Sequence, residues 1–317
     1  MTRSLLGIDI GGTKILGVVV QQEDVGVHVE TEHRVPTPVG AEAVLDAIAE
    51  VVEALGGPLD TLGVGIAGLV DRDGVLHLGP NLPTLRDVPV RAELVRRVGI
   101  PVVVDNDATC AAWAEHQAGV ARGCSDVVCI TLGTGIGSGL VVGGEIVRGA
   151  NGFGGEAGHM VVDPTGPLCP CGRRGCWERL ASGSGLRRLA REAAEAGRLD
   201  RALALAGGDV AGVQGEHVAQ AAHEGDGEAL ELLRSFGWWL ALGIANLVTI
   251  LDPAAVVVGG GLVEIGEPLL DPVREHYRNL VMAQQERPDV RILAAALGER
   301  AGAIGAALLG SRREGSQ

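Results

Sequence analysis

Aromatic residues make up only 2% of this 317-residue chain, so its cores must be built from Ala, Val, Leu and Ile. Positive charge is also scarce: 26 Lys and Arg face 40 Asp and Glu, for a formal net charge of −14. The arginines read as scattered, with no basic stripe, which argues against a nucleic-acid partner. No apolar run suits a membrane span. The longest, 238–251, is interrupted by Asn246 and Thr249 and closed by Asp252-Pro253, and it reads as a buried core helix. Met1-Thr2-Arg3 leads straight into an apolar strand pattern with no small-residue cleavage site, so neither a signal peptide nor a membrane partner is expected. The P-loop pattern G-x-x-x-x-G-K-[ST] is missing. So is a G-x-G-x-x-G followed by a helix, which removes a dinucleotide-binding fold.

What is present is 46% hydrophobic and 21% charged residues, a globular composition long enough for two ordinary domains. The 50 glycines cluster between apolar runs, where turns bring backbone close to a ligand. Strand patterns at 5–10, 15–20, 28–35, 62–67, 101–104, 127–131, 140–142, 255–258 and 290–294 interleave with helical ones. The helices are expected at 41–55, 91–98, 108–118, 184–196, 200–206, 215–224, 228–250, 267–282 and 301–309, with a frayed tail at 311–317. Such alternation predicts the α/β class, with ligands at the carboxyl ends of strands. Asp9, Gly68, Asp107, Thr134 and Gly260 all fall there. A strand–glycine turn–strand unit occurs twice, at 5–20 and 127–142, and this internal repeat suggests two related halves.

The stretch 154–178 reads GGEAGHMVVDPTGPLCPCGRRGCWE. His159, Cys169, Cys171 and Cys176 form a Cys3His set, complete for tetrahedral zinc. The C-x-C-x4-C spacing is not that of a zinc finger. Glu156 and Glu178 flank the set, so a metal here would fix two carboxylates in one place. Cys110, Cys124 and Cys129 read as buried small hydrophobes, in keeping with a reducing cytoplasm. In Asp105-Asn106-Asp107, ahead of a helix, a helix-capping role competes with a catalytic one; Asp105 is the candidate cap or backbone brace.

The ordered motifs DIGGTK, GIAG, PNLP, DNDA, LGTGIGSG, GEAGH and CPCGRRGCWE, running from Asp9 to Gly261 with the last glycine cluster, resemble the ROK family of sugar kinases and repressors. Within it the resemblance is to the bacterial ATP-dependent glucokinase branch. It departs after PNLP, where Thr84-Leu85 stand in place of a frequent Gly-Trp at the sugar pocket's edge. The resemblance implies a two-domain, actin-like (ribonuclease H-like) α/β fold with its active site in the interdomain cleft. It divides the chain into an N-terminal domain, 1–107, and a larger domain, 108–299, with helix 300–312 packing back on the first. Asp107 becomes the general base for the sugar's 6-hydroxyl. Gly68, Asn81, Asn106, Glu156, His159 and Glu178 become sugar ligands. Asp9, Gly11, Gly12, Thr13, Lys14, Thr134, Gly135, Gly259, Gly260 and Gly261 become the nucleotide and phosphate site. Glucose, ATP with Mg2+, structural Zn2+ and a homodimer or homotetramer follow as expectations. Alternatives are a kinase for mannose, fructose or an N-acetylhexosamine, a non-catalytic sugar sensor, or a polyphosphate donor. A repressor is not expected, because the first strand pattern starts within a few residues of Met1 and leaves no room for a helix-turn-helix domain.

Overall fold

The computed structural model describes residues 4–22, 26–57 and 60–312; of the tail expected to fray, 313–317 lies outside them. The chain forms two compact units, one of Met1–Ile130, Ser138–Gly155 and Ala295–Gln317, the other of Thr131–Gly137 and Glu156–Ala294.

In chain order the first elements are β1 (Ser4–Ile10), β2 (Lys14–Gln22), β3 (Val27–Pro36), α1 (Ala41–Leu55), β4 (Leu62–Ile66) and the short β5 (Leu69–Val70) and β6 (Leu76–Leu78). Then come α2 (Val90–Val98), β7 (Val102–Asn106) and α3 (Asp107–Gln117). The first sheet has the order β3-β2-β1-β4-β7. Strands β1 to β3 are antiparallel, and β4 and β7 add in parallel. The apolar face expected on 41–55 is the one buried: Val44, Leu45, Ile48 and Val51 pack with Ile8, Ile10, Ile15, Val64 and Ile66. Each such fully buried aliphatic side chain contributes about 1.5–3 kcal/mol.

The second sheet contains β8 (Val127–Leu132), β9 (Ile136–Val142), β10 (Glu145–Ile146) and, after five helices, β11 (Ala255–Gly259) and β12 (Arg291–Ala294). Its order is β10-β9-β8-β11-β12. In both sheets the third, second, first, fourth and fifth strands follow one another, so the repeat seen in the sequence is a repeat of topology. One boundary differs from expectation. The glycine run 133–139 is not all turn, because β9 already begins at Ile136. A Cβ on Gly139 would stand 2.5 Å from Ala112 Cβ and 2.7 Å from Ala108 O. That glycine marks close packing of a strand on a helix rather than a bend.

The intervening helices are α4 (Trp177–Ala181), α5 (Gly183–Glu195), α6 (Asp200–Leu205), α7 (Gly215–His223) and α8 (Gly227–Leu251); α9 (Glu267–Leu280) precedes β12, and α10 (Ala301–Gly310) closes the chain. The sequence pattern missed α4, whose five residues are too few for a helical period to show. Helix α8 is long and apolar enough to cross a membrane, but 56% of its apolar window is buried inside the protein. Trp177 lies against it, with its indole N–H donating to Trp239 O at 2.8 Å. Helix α10 is rich in Ala and Gly because it rides directly on the first sheet: a Cβ on Gly63 would stand 1.7 Å from Ala306 O.

The segment that leads into α10 is held by a carboxylate that no sequence pattern announces. Glu115 in α3 is 0% exposed. Its Oε1 accepts from the N–H of Ala296 and of Leu297 at 2.9 Å, and its Oε2 from Val120 N–H at 3.0 Å. Removing the carboxylate strands three backbone donors. Glu115→Ala should cost about 3 kcal/mol or more, read as a lower denaturant midpoint, and Glu115→Gln less. Equal midpoints would refute this role.

Candidate active site

In the first unit the candidate residues gather at the carboxyl ends of β1, β4 and β7. The β1–β2 turn closes with Gly11 N–H donating to Lys14 O at 3.0 Å, and Thr37 Oγ donates to Gly11 O at 2.7 Å. Asp9 sits one residue before the end of β1. Its Oδ1 is sealed from solvent and has no hydrogen-bond partner. Burial, then the charge of Asp107, pushes the Asp9 carboxyl up to about 7 against the pull of Lys14. Burial also raises Asp107, against the opposing pull of the backbone N–H groups at the start of α3 and of Asn106. Two neighbouring acids with elevated values and an orphaned buried oxygen are the environment that a divalent cation relieves. Lys14 opens β2, and its ammonium pairs with Glu299, which also pairs with Arg34. The two cations hold Glu299 down at about 2.

Asn106 ends β7 and caps α3, its Oδ1 accepting from Thr109 N–H at 3.0 Å while its Nδ2 donates to Gly68 O at 3.1 Å. Asn106, and not Asp105, is therefore the cap. Asp105 is the brace: its Oδ2 accepts from Arg148 Nε at 2.7 Å and its Oδ1 from Asn106 N–H at 2.9 Å. Gly68 has φ +140°, and a Cβ there would meet Leu78 O at 2.3 Å; only glycine fits. Asn81 is exposed on the loop after β6. Gly12 approaches it so closely that a Cβ would stand 2.6 Å from Asn81 O, so the β1–β2 turn and the Asn81 loop touch.

Sequence reasoning missed a clasp under that loop. His77 on β6 faces Asp87 with Nδ1 at 2.8 Å and Asp71 with Nε2 at 3.0 Å. First Asp87 and then Asp71 raise His77 above its ordinary value of 6.5. Charged, the ring donates to both carboxylates; neutral, it has one N–H and serves one. The raised value means that the clasp is complete below about 6.5 and is lost as pH rises through the folded-state value. The His77 ring protons should titrate above 6.5 by NMR, and Asp87→Asn should bring that value down. An unshifted midpoint in native protein would contradict the clasp.

In the second unit, Thr134 and Gly135 form the β8–β9 turn, and the Ser182 and Ser184 hydroxyls donate to Thr134 O at 2.9 and 2.7 Å. Gly259 ends β11, and Gly260 and Gly261 lead into a 3-10 turn. Glu156 precedes the 3-10 turn Ala157–His159. His159, Cys169, Cys171 and Cys176 bring their ligand atoms within 4.8 Å of one another. Cys171 and Cys176 Sγ are 3.5 Å apart, and Cys169 Sγ is 3.8 Å from His159 Nδ1. Zn–S bonds of about 2.3 Å at tetrahedral angles put sulfurs about 3.8 Å apart, so the set fits zinc. Burial raises the Cys169 and Cys176 thiols. At Cys171 burial is outweighed by the Arg173 N–H and neighbouring groups, and the thiol falls to about 6. Glu178 Oε1 accepts from Cys169 Sγ at 3.1 Å, which ties that carboxylate to the cluster. Its Oε2 lies 2.5 Å from where a Cβ on Gly135 would be. Cys110, Cys124 and Cys129 are buried and are not in disulfides.

Two sheets of one topology, each opening on a hairpin with a glycine turn, define an α/β fold of the actin-like ATPase kind. The chain belongs to the ROK family, whose model matches residues 5–313. It is 42% identical over 307 residues to a glucokinase of Streptomyces coelicolor, covering 95% of this chain and 96% of that protein. It is 35% identical over 315 residues to a glucokinase of Thermotoga maritima, covering 98% of each. Among solved structures it matches a ROK family glucokinase from Streptomyces griseus in complex with glucose and AMPPNP, with a TM-score of 0.87, 41% identity and coverage of 97% of this chain and 99% of that one.

Proposed function

We propose that this protein is a glucokinase that moves the γ-phosphoryl group of ATP to the 6-hydroxyl of D-glucose. The observation that carries the reading is the 41% identical structure that holds glucose and an ATP analogue, matched over 97% of this chain. Asp107 takes the proton of the 6-hydroxyl. Its raised carboxyl is a better base than a solvated aspartate. Asn81, Asn106, Gly68 O, Glu156, His159 and Glu178 receive the ring hydroxyls, each of which needs both a donor and an acceptor. A sugar epimer leaves one of these groups unpaired, and that is the source of selectivity. Asn106 already spends one donor and one acceptor inside the protein, so it offers the sugar its second N–H and second lone pair.

Asp9, Gly11, Gly12, Thr13, Lys14, Thr134, Gly135 and Gly259 to Gly261 hold the nucleotide. Mg2+ supplies charge neutralisation on the phosphates, with Asp9 as the carboxylate nearest to hand. Lys14 must leave Glu299 to reach a phosphate, which makes Glu299 its resting partner. His159 and the three cysteines would hold zinc, which would fix the loop and leave the other ring nitrogen of His159 for the sugar. We also propose a cytoplasmic homo-oligomer, testable by fractionation and sedimentation velocity. The deciding assay couples ADP release to a panel of hexoses with ATP and Mg2+. Turnover that depends on glucose is the expected result. Turnover with only mannose, fructose or an N-acetylhexosamine would overturn the substrate, and sugar binding without turnover would overturn the enzyme.

A further inference from the structure

Between β6 and α2 the chain makes a loop, 79–87, that carries Asn81 exposed. Leu82 and Leu85 are buried and pin its middle to the core. Its base is the Leu76–Val88 bridge, with backbone bonds of 2.9 and 3.0 Å. One residue outward the backbone closure slackens: Asp87 N–H reaches His77 O only at 3.5 Å. The firm closure at that level is made by side chains, His77 Nδ1 to Asp87 Oδ1 at 2.8 Å. Asp87 also holds a φ of +51°, a region that Asp enters more readily than most residues but still at a cost.

The other ring nitrogen faces a fixed partner. Asp71 Oδ1 accepts from the N–H groups of Asp73 and Val75 at 2.9 and 2.8 Å, which leaves Oδ2 for His77 Nε2 at 3.0 Å. A third segment backs the ring. Phe153 meets it nearly at right angles, with centroids 5.6 Å apart, and Arg72 ties that segment down by donating to Gly149 O at 3.0 and 2.7 Å. Asp71 and Asp87 are the charged groups that act on the ring. Arg72, Asp73 and Arg86 are exposed on the same two turns, and Arg91 donates to Arg72 O at 3.0 Å. A neutral ring has one N–H. It keeps that proton on Asp71, whose carboxylate its own turn holds, and releases Asp87, whose side chain is 67% exposed and passes to water. The loop end then loses its firm closure while the bridge beneath it stays.

We propose that His77 is a positioning residue for sugar binding: bonded to both carboxylates it holds the loop that carries Asn81, and with one bond lost that loop binds glucose more weakly. This deepens the glucokinase reading and rests on it, with Asn81 as a sugar ligand. The test is calorimetric titration of the full chain with glucose, without nucleotide, from about pH 5.5 to 8.5. Asp87 and Asp71 raise His77 above 6.5, so the two-bond clasp is present at the acid end and is lost as pH rises through the folded-state value. Native protein should therefore bind glucose about two- to fivefold more tightly than His77→Gln at the acid end, and about equally at the alkaline end. The ratio isolates His77, because Asp9 and Asp107 titrate in both proteins. Asp87→Asn, at an exposed position where Asn also tolerates the backbone, should show the same acid-end loss, and it carries the comparison if His77→Gln misfolds. With ATP added, the change should fall in KM and not in kcat. In an Asn81→Ala background His77→Gln should add no further loss. A native-to-variant ratio that does not change with pH, or an equal loss with and without Asn81, would make His77 merely structural and overturn the proposal alone. Native protein that binds no glucose would overturn the kinase reading and this proposal together.

Discussion

Asp107→Asn should lower glucose-dependent ADP release by about 10²- to 10⁴-fold, almost entirely in kcat. The amide has the size of the carboxylate and keeps its place at the start of α3, where Asn106 supplies the cap. What it loses is the ability to take a proton. Glucose affinity should therefore change little, because Asn still offers an oxygen to the 6-hydroxyl. Stability should hold or rise at neutral pH. Burial raises the Asp107 carboxyl, so its contribution to folding is present at low pH and is lost as pH rises through the folded-state value. A neutral side chain has no such loss. The variant should also relax Asp9, whose elevation to about 7 owes its second-largest part to the Asp107 charge. Steady-state kinetics beside a thermal melt separates the cases. An unchanged kcat would remove Asp107 from the chemistry, and a collapse of the melting temperature would make the residue structural.

Replacing Cys176 by Ala should empty the metal site and weaken glucose binding by about 10- to 100-fold. Cys176 is 0% exposed and directly precedes Trp177, also 0% exposed, which docks on α8. The loop from Met160 to Cys176 is shaped locally by its own hydrogen bonds, Val162 N–H to Gly175 O at 2.9 Å, Cys169 N–H to Arg173 O at 2.8 Å and Gly175 N–H to Pro167 O at 2.9 Å, and the cluster ties those turns to His159. Glu178 lies two residues beyond and leans on Cys169. Loss of the knot thus frees a carboxylate and His159 together, which is why a metal that touches no substrate should govern sugar affinity. Elemental analysis should find about one zinc per native chain and almost none in the variant, and calorimetry should report the affinity. Because burial raises the Cys169 and Cys176 thiols, and zinc must displace their protons, metal affinity should fall as pH is lowered. A zinc-free chain with native melting temperature and native glucose affinity would refute the account.

The Cys3His set was legible because its four residues lie within 18 positions, and the structure closes the same four side chains into one cluster. The helix at 41–55 was legible because its apolar period is helical and its buried face has to match it. The β1–β2 hairpin was legible for a similar local reason: a glycine turn between two apolar runs. Where local signals carry two meanings the sequence misleads. Gly139 marks the packing of a strand on a helix and not a turn, and β9 starts earlier than the run suggests. Asp105 and Asn106 both have capping chemistry, and only the fold shows that Arg148 takes Asp105 and leaves the cap to Asn106.

Sequence by itself determined the α/β class, the repeated hairpin, the Cys3His set and the acids at strand ends. Each of these is written in contiguous residues, where backbone period and side-chain chemistry act over a few positions. Tertiary structure alone decided the rest. Glu115 meets Ala296 across 181 positions, and Lys14 meets Glu299 across 285. The His77 clasp depends on two short strands too brief to show a period. Charge pairing and burial depend on distance in space, and a linear pattern holds no record of which remote residues the sheets will bring together.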